Sequence, residues 1–326
     1  MINYSENESA NFGLKIYRAR VEQLHFSELL VEVANELPDM VFLRLPFNEA
    51  LKLQAAQQDT LPLLWADNVL EFRKPLRKDT ISDDLGSGTF CRVAGPEDSE
   101  LLLSIVNDCY FDYANHYFAN QYLNHDRVLS GMAQWACTFI EPASGQKSRV
   151  LLIYRAEQPI GFLILEARGR TGSTVLGGVS KSISAGLRHK ALVDATRAGD
   201  LILLDWQCSE FVAQTRIDNH YIQKLLVKNM HTRPFRTWAT LHLNLFFDRL
   251  SQQTGEKISS ADYAAELKQT LGENLKLIRF KSLQLADKAG HGELYTYPLQ
   301  ADGLKEYAWL VKENGRPLAG GRLVLS

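Results

Sequence analysis

The order of apolar periodicities between residues 89 and 245 constrains this chain more than any single motif does. A short strand at 89–93 and a turn at Gly95-Pro96 lead into two stretches with helical spacing, 99–111 and 126–139. Two runs dense in aliphatic residues follow, RVLLIYR at 149–155 and PIGFLILEA at 159–167, closing as a hairpin around Glu157-Gln158. Then come a strand at 174–179 (TVLGGV), a helix over 187–198, a strand at 211–216 (FVAQTR), a helix over 219–228 and a closing strand at 237–245 (TWATLHLNL). Residues 200–205 suit either a buried strand or a continuation of the preceding helix. Apolar spacing that switches between period 3.6 and period 2 in this order predicts an α/β domain, a mixed sheet flanked by helices.

Two segments flank it. Residues 1–80 read as a small α/β domain: a strand within 12–21, a helix over 26–37, the buried strand MVFLRL at 40–45, a helix over 48–57 and a strand at 68–72. The polar stretch RKDTISDDLGSG at 77–88 has no apolar period and reads as a linker. Residues 246–326 read as a β-rich appendage, with a helix over 260–271 and strands at 275–283, 292–298, 307–313 and 318–325. The last two join at Asn314-Gly315, a strong hairpin turn. This appendage is similar to part of a hotdog fold, though short for a complete one and without an acid or histidine constellation; His291 between two glycines reads as a loop residue. A structural or homodimerising role is expected of it, with acyl-thioester binding as the rival.

Composition removes several functions. A net charge of -2 leaves no broad basic field for duplex nucleic acid. No apolar run approaches the roughly 20 residues that span a bilayer. The opening MINYSENESANFG has no apolar signal core, so a cytoplasmic protein is expected. The four cysteines, Cys91, Cys109, Cys137 and Cys208, are far apart and read as buried, reduced thiols, and no metal site is expected.

Three pieces of sequence carry a resemblance. Tyr110-Phe111-Asp112-Tyr113-Ala114-Asn115-His116-Tyr117, with Gln134-Trp135-Ala136 downstream, forms an aromatic helical entry. The run 174–179 leads to Gly186-Leu187. Ala213-Gln214-Thr215-Arg216-Ile217-Asp218-Asn219 runs on to Met230. Together they resemble the sugar-amine N-acetyltransferases of the GNAT superfamily, in particular the dTDP-fucosamine acetyltransferase type. The likeness covers about the first three quarters of the chain. It implies acetyl-CoA or another acyl-CoA as acyl donor and a small amine, in the narrowest form an amino sugar, as acceptor.

The resemblance also implies roles. Leu176, Gly177, Gly178 and Val179 stand where the pantetheine arm pairs with a strand edge, and Ser184, Ala185, Gly186, Leu187 and Arg188 where a helix start receives pyrophosphate. Asn219 stands where the family's asparagine lies against the thiol end. The loop departs from the family's R/Q-x-x-G-x-G/A in keeping one glycine, and Arg188-His189-Lys190 reads equally as a solvated basic helix start. The helix after Asn219 puts Leu226 where the family's acidic tyrosine is expected, and an aliphatic side chain donates no proton. Tyr221, His220, His231 or water would then serve the leaving thiolate, or transfer is lost and the chain only binds acyl-CoA. His116, Asp112 and Glu166 are the candidate general bases, and Tyr113, Asn115, Tyr117 and Trp135 a polar-aromatic patch suited to a sugar. His242, on an expected core strand, reads as structural. A third alternative places thioesterase or dehydratase-like activity in residues 246–326.

Overall fold

The computed structural model describes residues 2–36, 38–56, 63–78, 88–142 and 145–245, and beyond them the strands of the last segment. The chain opens with β1 (Asn3–Tyr4), α1 (Glu6–Phe12), β2 (Ile16–Arg20), α2 (Phe26–Glu36), β3 (Met40–Pro46), α3 (Phe47–Ala56) and β4 (Leu63–Pro75). Next come β5 (Thr89–Val93), α4 (Ser99–Tyr110), α5 (Asp126–Cys137), β6 (Lys147–Arg155), β7 (Gln158–Arg168) and β8 (Thr171–Val179). α6 (Ala185–Asp205), β9 (Glu210–Arg216), α7 (His220–Lys228) and β10 (Arg233–Asn244) complete this part.

These strands form one ten-stranded mixed sheet, ordered β1-β2-β3-β10-β4-β9-β8-β7-β6-β5. Helices cover both faces, and the chain is an α/β protein with a large mixed sheet. Residues 200–205 continue the helix: α6 reaches Asp205, with Leu203 buried against the sheet. The expected strand at 12–21 is shorter, because Phe12 ends α1 and Gly13 closes that helix in the left-handed conformation at φ 63°. The hairpin turns on Ala156-Glu157, with Ala156 at φ 51°.

Alternation sorts the side chains by face. On one face Leu151, Ile153, Leu163, Leu165, Phe72, Phe211 and Ala213 pack under α6 and α7. On the other, Val150, Leu152, Phe162 and Ile164 pack under α4 and α5. Farther along that second face, Phe42, Met40 and Ile16 pack with Phe12, Leu123 and Val128. Between these two apolar patches the same face is polar.

β4 is the hinge of the topology. It pairs antiparallel with β9 on one side, Val69 opposite Arg216 through Pro75 opposite Glu210, and with β10 on the other. β10 in turn pairs with β3, so a strand from the last part of the sheet lies between two strands from the first 80 residues. The linker expected at 77–88 lies mostly outside the described residues. In the last segment β11 (Glu256–Ile258), β12 (Glu293–Ala301), β13 (Leu304–Glu313) and β14 (Arg316–Leu325) form an antiparallel meander. The helix expected at 260–271, the strand at 275–283 and His291 lie outside the described residues. Among the described residues, no helix is long and apolar enough to cross a membrane.

Glu71 ties four strands together on the polar face. Its buried carboxylate accepts from Trp238 Nε1 at 2.8 Å, Gln214 Nε2 at 2.9 Å, Arg20 at 3.0 Å and Arg73 at 2.8 Å. Burial works to raise its pKa, but the hydrogen bonds from Arg73, Gln214 and Trp238 and the charge of Arg73 outweigh it, and the carboxyl sits below its ordinary value. A depressed carboxylate lends stability that is complete above the unfolded value of about 4.3 and drains away as pH falls below it. Glu71→Ala should therefore cost about 3–5 kcal/mol at pH 7, because it strands buried donors, and should flatten the loss of stability below pH 4.3. Urea unfolding from pH 7 to 3 measures both.

Candidate functional site

β8 and β9 run parallel and pair only through Thr171–Glu210, Gly172–Phe211 and Ser173–Val212. Beyond Ser173 they part. β8 stays with β7 out to Val179, while β9 stays with β4 out to Arg216. A register shift accompanies the parting: Leu165 faces Thr174 and Ile164 faces Leu176, so Val175 is an extra residue in β8. Such a bulge bends and twists its strand, and this one falls two residues past the last β8–β9 pair.

The parting leaves β8 with a bare edge. Ser180 N–H donates to Ile160 O at 2.7 Å, so by alternation Gly178 and Leu176 also face β7, while Gly177 and Val179 turn their amides and carbonyls toward the gap. Tyr110 Oη, at the end of α4, donates to Gly177 O at 2.6 Å. That approach depends on Gly178, where a Cβ would come within 3.0 Å of the Cys109 Cβ. Tyr113 packs edge-on against Tyr110, ring centroids 5.1 Å apart, and Lys181 pairs with Asp112. Burial raises the Tyr110 phenol well above its ordinary pKa, so it stays a donor.

At the far end of β8 the chain turns through Ser180 and Ser182, whose hydroxyls are 2.7 Å apart, into α6. The first intrahelical bond there is Arg188 N–H to Ser184 O at 3.0 Å. The amides of Ala185, Gly186 and Leu187 therefore lack intrahelical acceptors and aim out of the helix start. No acidic residue sits in the first turn, and a Cβ at Gly186 would meet nothing within 4 Å. An anion has open access to these amides.

Solved structures of similar topology include GCN5-related N-acetyltransferases. The one from Sphaerobacter thermophilus is 10% identical over 74% of this chain and 74% of its own, with a TM-score of 0.46. The one from Kribbella flavida is 11% identical over 70% and 80%, with a TM-score of 0.45. A functionally unknown protein from Staphylococcus epidermidis is 8% identical over 74% and 89%, also at 0.46. No family model and no curated protein matches the chain.

The other expected site residues are placed as follows. Asn219 caps α7, its Oδ1 accepting from Ile222 N–H at 3.2 Å. Tyr221 is exposed on α7 and packs edge-on to His189, centroids 6.0 Å apart, which puts it beside the start of α6. Leu226 and Met230 are buried in the core beneath α6 and α7. His220 and His231 are exposed. Glu166 faces Ser173, at the paired end of β8, and bonds Arg168 at 3.2 Å. Asn115 accepts from Tyr117 N–H at 3.0 Å, and Tyr117 Oη donates to Glu8 at 2.5 Å. Trp135 on α5 packs on Phe139, just past the end of that helix. Thus Tyr113, Gly177 and Val179 come together at the gap, whereas Glu166 and Tyr117 are engaged elsewhere. Among the described residues no group of His, Cys, Asp or Glu is arranged to hold a metal.

His116 and His242 form a buried chain with Asn120. The backbone N–H of Tyr122 donates to Asn120 Oδ1 at 3.1 Å, which turns Asn120 Nδ2 toward Asn244 Oδ1 at 2.8 Å and His242 Nδ1 at 3.0 Å. His242 must therefore accept at Nδ1 and carry its proton on Nε2, 2.9 Å from His116 Nδ1. A neutral His116 then carries its proton on Nε2 and presents a donor. Burial, with Arg18 and Arg44 nearby, pushes His242 down to about 3; burial, His242 and the arginines hold His116 well below 6.5.

Sequence reasoning missed Arg44 and Asp67. Arg44 on β3, Thr240 on β10 and Asp67 on β4 lie in one register row on the polar face. Arg44 Nη2 and Nε donate to Thr240 Oγ1 at 3.0 and 3.3 Å. Asp67 Oδ1 is buried and accepts no hydrogen bond; such an atom costs about 1–3 kcal/mol. The signal available was a lone charge inside each otherwise apolar strand, MVFLRL and LLWADNVL.

Both histidines are neutral when folded, so their contribution is full above the unfolded pKa of about 6.5 and is lost as pH falls below it. Each adds about 1.4 kcal/mol of lost stability per pH unit in that range. His242→Gln should lower stability at pH 7.5 yet reduce the slope between pH 6.5 and 5, as read by urea unfolding at three pH values.

Proposed function

We propose that the chain is an acyl-CoA-dependent N-acyltransferase built on a GNAT-type core. The observation that carries this reading is the parting of β8 and β9 after Ser173, next to the bulge at Val175 and in line with the bare start of α6. A long, thin ligand with amides along its arm and phosphates at one end fits that arrangement. Gly177 and Val179 offer the edge that pantetheine amides pair with, and the amides of Ala185, Gly186 and Leu187, with Arg188 beside them, would take the pyrophosphate.

Acyl-CoA, when bound, supplies the activated thioester. An amine nitrogen forms the C–N bond to its carbonyl, the C–S bond breaks, and the proton lost from nitrogen ends on the coenzyme A sulfur. Backbone N–H groups of β8 near the bulge would polarise the carbonyl. With Leu226 in the core, the proton would reach sulfur from water or from Tyr221, His220 or His231, each of them exposed. The narrower amino-sugar reading draws on Tyr113, Asn115, Tyr117 and Trp135, of which Tyr113 borders the gap.

Coenzyme A should bind the full chain with micromolar affinity, and Arg188→Glu should weaken it about tenfold by replacing a phosphate partner with a like charge. Isothermal titration measures this. Equal affinity in both proteins, or no binding to either, removes the reading.

A further inference from the structure

The polar face of the sheet beside the gap is crowded with arginines, and six of them are matched. Arg18 pairs with Glu8, Arg20 with Glu71, Arg73 with Glu71 and Glu210, Arg168 with Glu166, Arg216 with Asp218 and Arg236 with Glu22. Arg44 has no carboxylate within 4 Å among the described residues; its bonds go to the Thr240 hydroxyl, which leaves Nη1 and one Nη2 hydrogen undirected. One strand away in the same row stands Asp67, with an oxygen that accepts nothing. A cation and an anion this near in a half-buried layer would ordinarily meet. Here they do not, and Thr240 sits between them.

Their place relative to the gap follows from strand direction. β8 and β9 are parallel, so Val179 and Arg216 lie at the same end of the sheet, and Val69 opposite Arg216 brings Asp67 to that end. Asp67 is close enough to both Tyr113 and Arg216 to act on their ionisation. Tyr113 packs on Tyr110, which holds Gly177 O on the edge of the gap. The loop from α4 to α5 roofs this layer, with Arg216 bonded to Ala114 O and His116 to His242. Arg44, Asp67 and Tyr113 are each half-buried, with Asp67 Oδ1 itself turned into the buried side of the layer.

We infer that Arg44 and Asp67 are the two poles of the acceptor site, and that the acceptor is a small zwitterion carrying a primary amine and a carboxylate. Arg44 offers a fork of donors that suits a carboxylate. Asp67 offers an acceptor to the amine on the side nearer the gap. The two backbone positions are separated by one strand, about 10 Å, which leaves room for an amino acid. The inference deepens the acyltransferase reading and rests on it for the word acceptor, while the binding site itself does not.

The test uses the full chain. The twenty common L-amino acids, β-alanine and γ-aminobutyrate are screened by thermal shift and isothermal titration without coenzyme A, and each binder is compared with its carboxamide. Thiol release from acetyl-CoA is then followed with the same pairs. At least one acid should bind ten-fold or more tighter than its carboxamide. Arg44→Gln should abolish most of that preference, Arg44→Lys should keep part of it, and Asp67→Asn should weaken acid and carboxamide alike; circular dichroism checks that each variant is folded. Binding of none of these compounds, equal use of acid and carboxamide, or a preference untouched by Arg44→Gln overturns the inference. Coenzyme A binding without acid preference sinks this inference alone. Arg44-dependent acid binding without coenzyme A binding sinks the acyltransferase reading and leaves the amino-carboxylate site.

Discussion

A sheet normally satisfies its interior edges, and the proposed acyl-CoA site rests on one place where this sheet does not. At Ser173 two parallel strands that have just met separate, and the bulge at Val175 supplies the bend that separates them. The sheet remains continuous on either side because each strand keeps its other neighbour, β7 for β8 and β4 for β9. The opening is thus held by ladders on both flanks rather than by a loop, which keeps its width fixed. Tyr110 already covers one exposed carbonyl of that edge. The remaining polar groups are what a ligand with peptide-like amides is suited to meet.

The polar layer next to the opening is organised by fixed donors. A backbone amide, Tyr122 N–H, orients Asn120; Asn120 orients His242; His242 orients His116. Each link leaves one proton position for the next, and with both rings held neutral the chain ends in a donor. His116 as a general base would require that whole sequence of protons to reverse. Asp67, by contrast, already presents an oxygen without a donor.

Much of this was legible in the residues. The spacing of apolar side chains gives α4, α5, α7 and the central strands to within a few positions, whereas α6 runs seven residues past the expected 187–198 helix to Asp205. The long-range facts left no local trace. Nothing in LLWADNVLEF says that this strand lies between two others that follow it by more than 130 residues, since pairing is decided by partners and not by propensity. His116 and His242 meet across 126 positions. Arg44 and Asp67 are each a single charge within a largely apolar strand, and only their shared row makes them a pair.

The threading of β10 between β3 and β4 also governs how the chain must assemble. As it emerges from the ribosome, the first 80 residues contain two strands that are neighbours in sequence but cannot be neighbours in space, because the strand that joins them is made some 160 residues later. Until residue 244 is available, the apolar edges of β3 and β4 stay uncovered, and closing contacts of such long sequence separation is slow. The row of Arg44, Thr240 and Asp67, one from each of these three strands, is therefore among the last parts of the molecule to exist. A nascent or truncated chain lacking β10 would present sticky strand edges and leave Arg44 and Asp67 on strands that nothing joins.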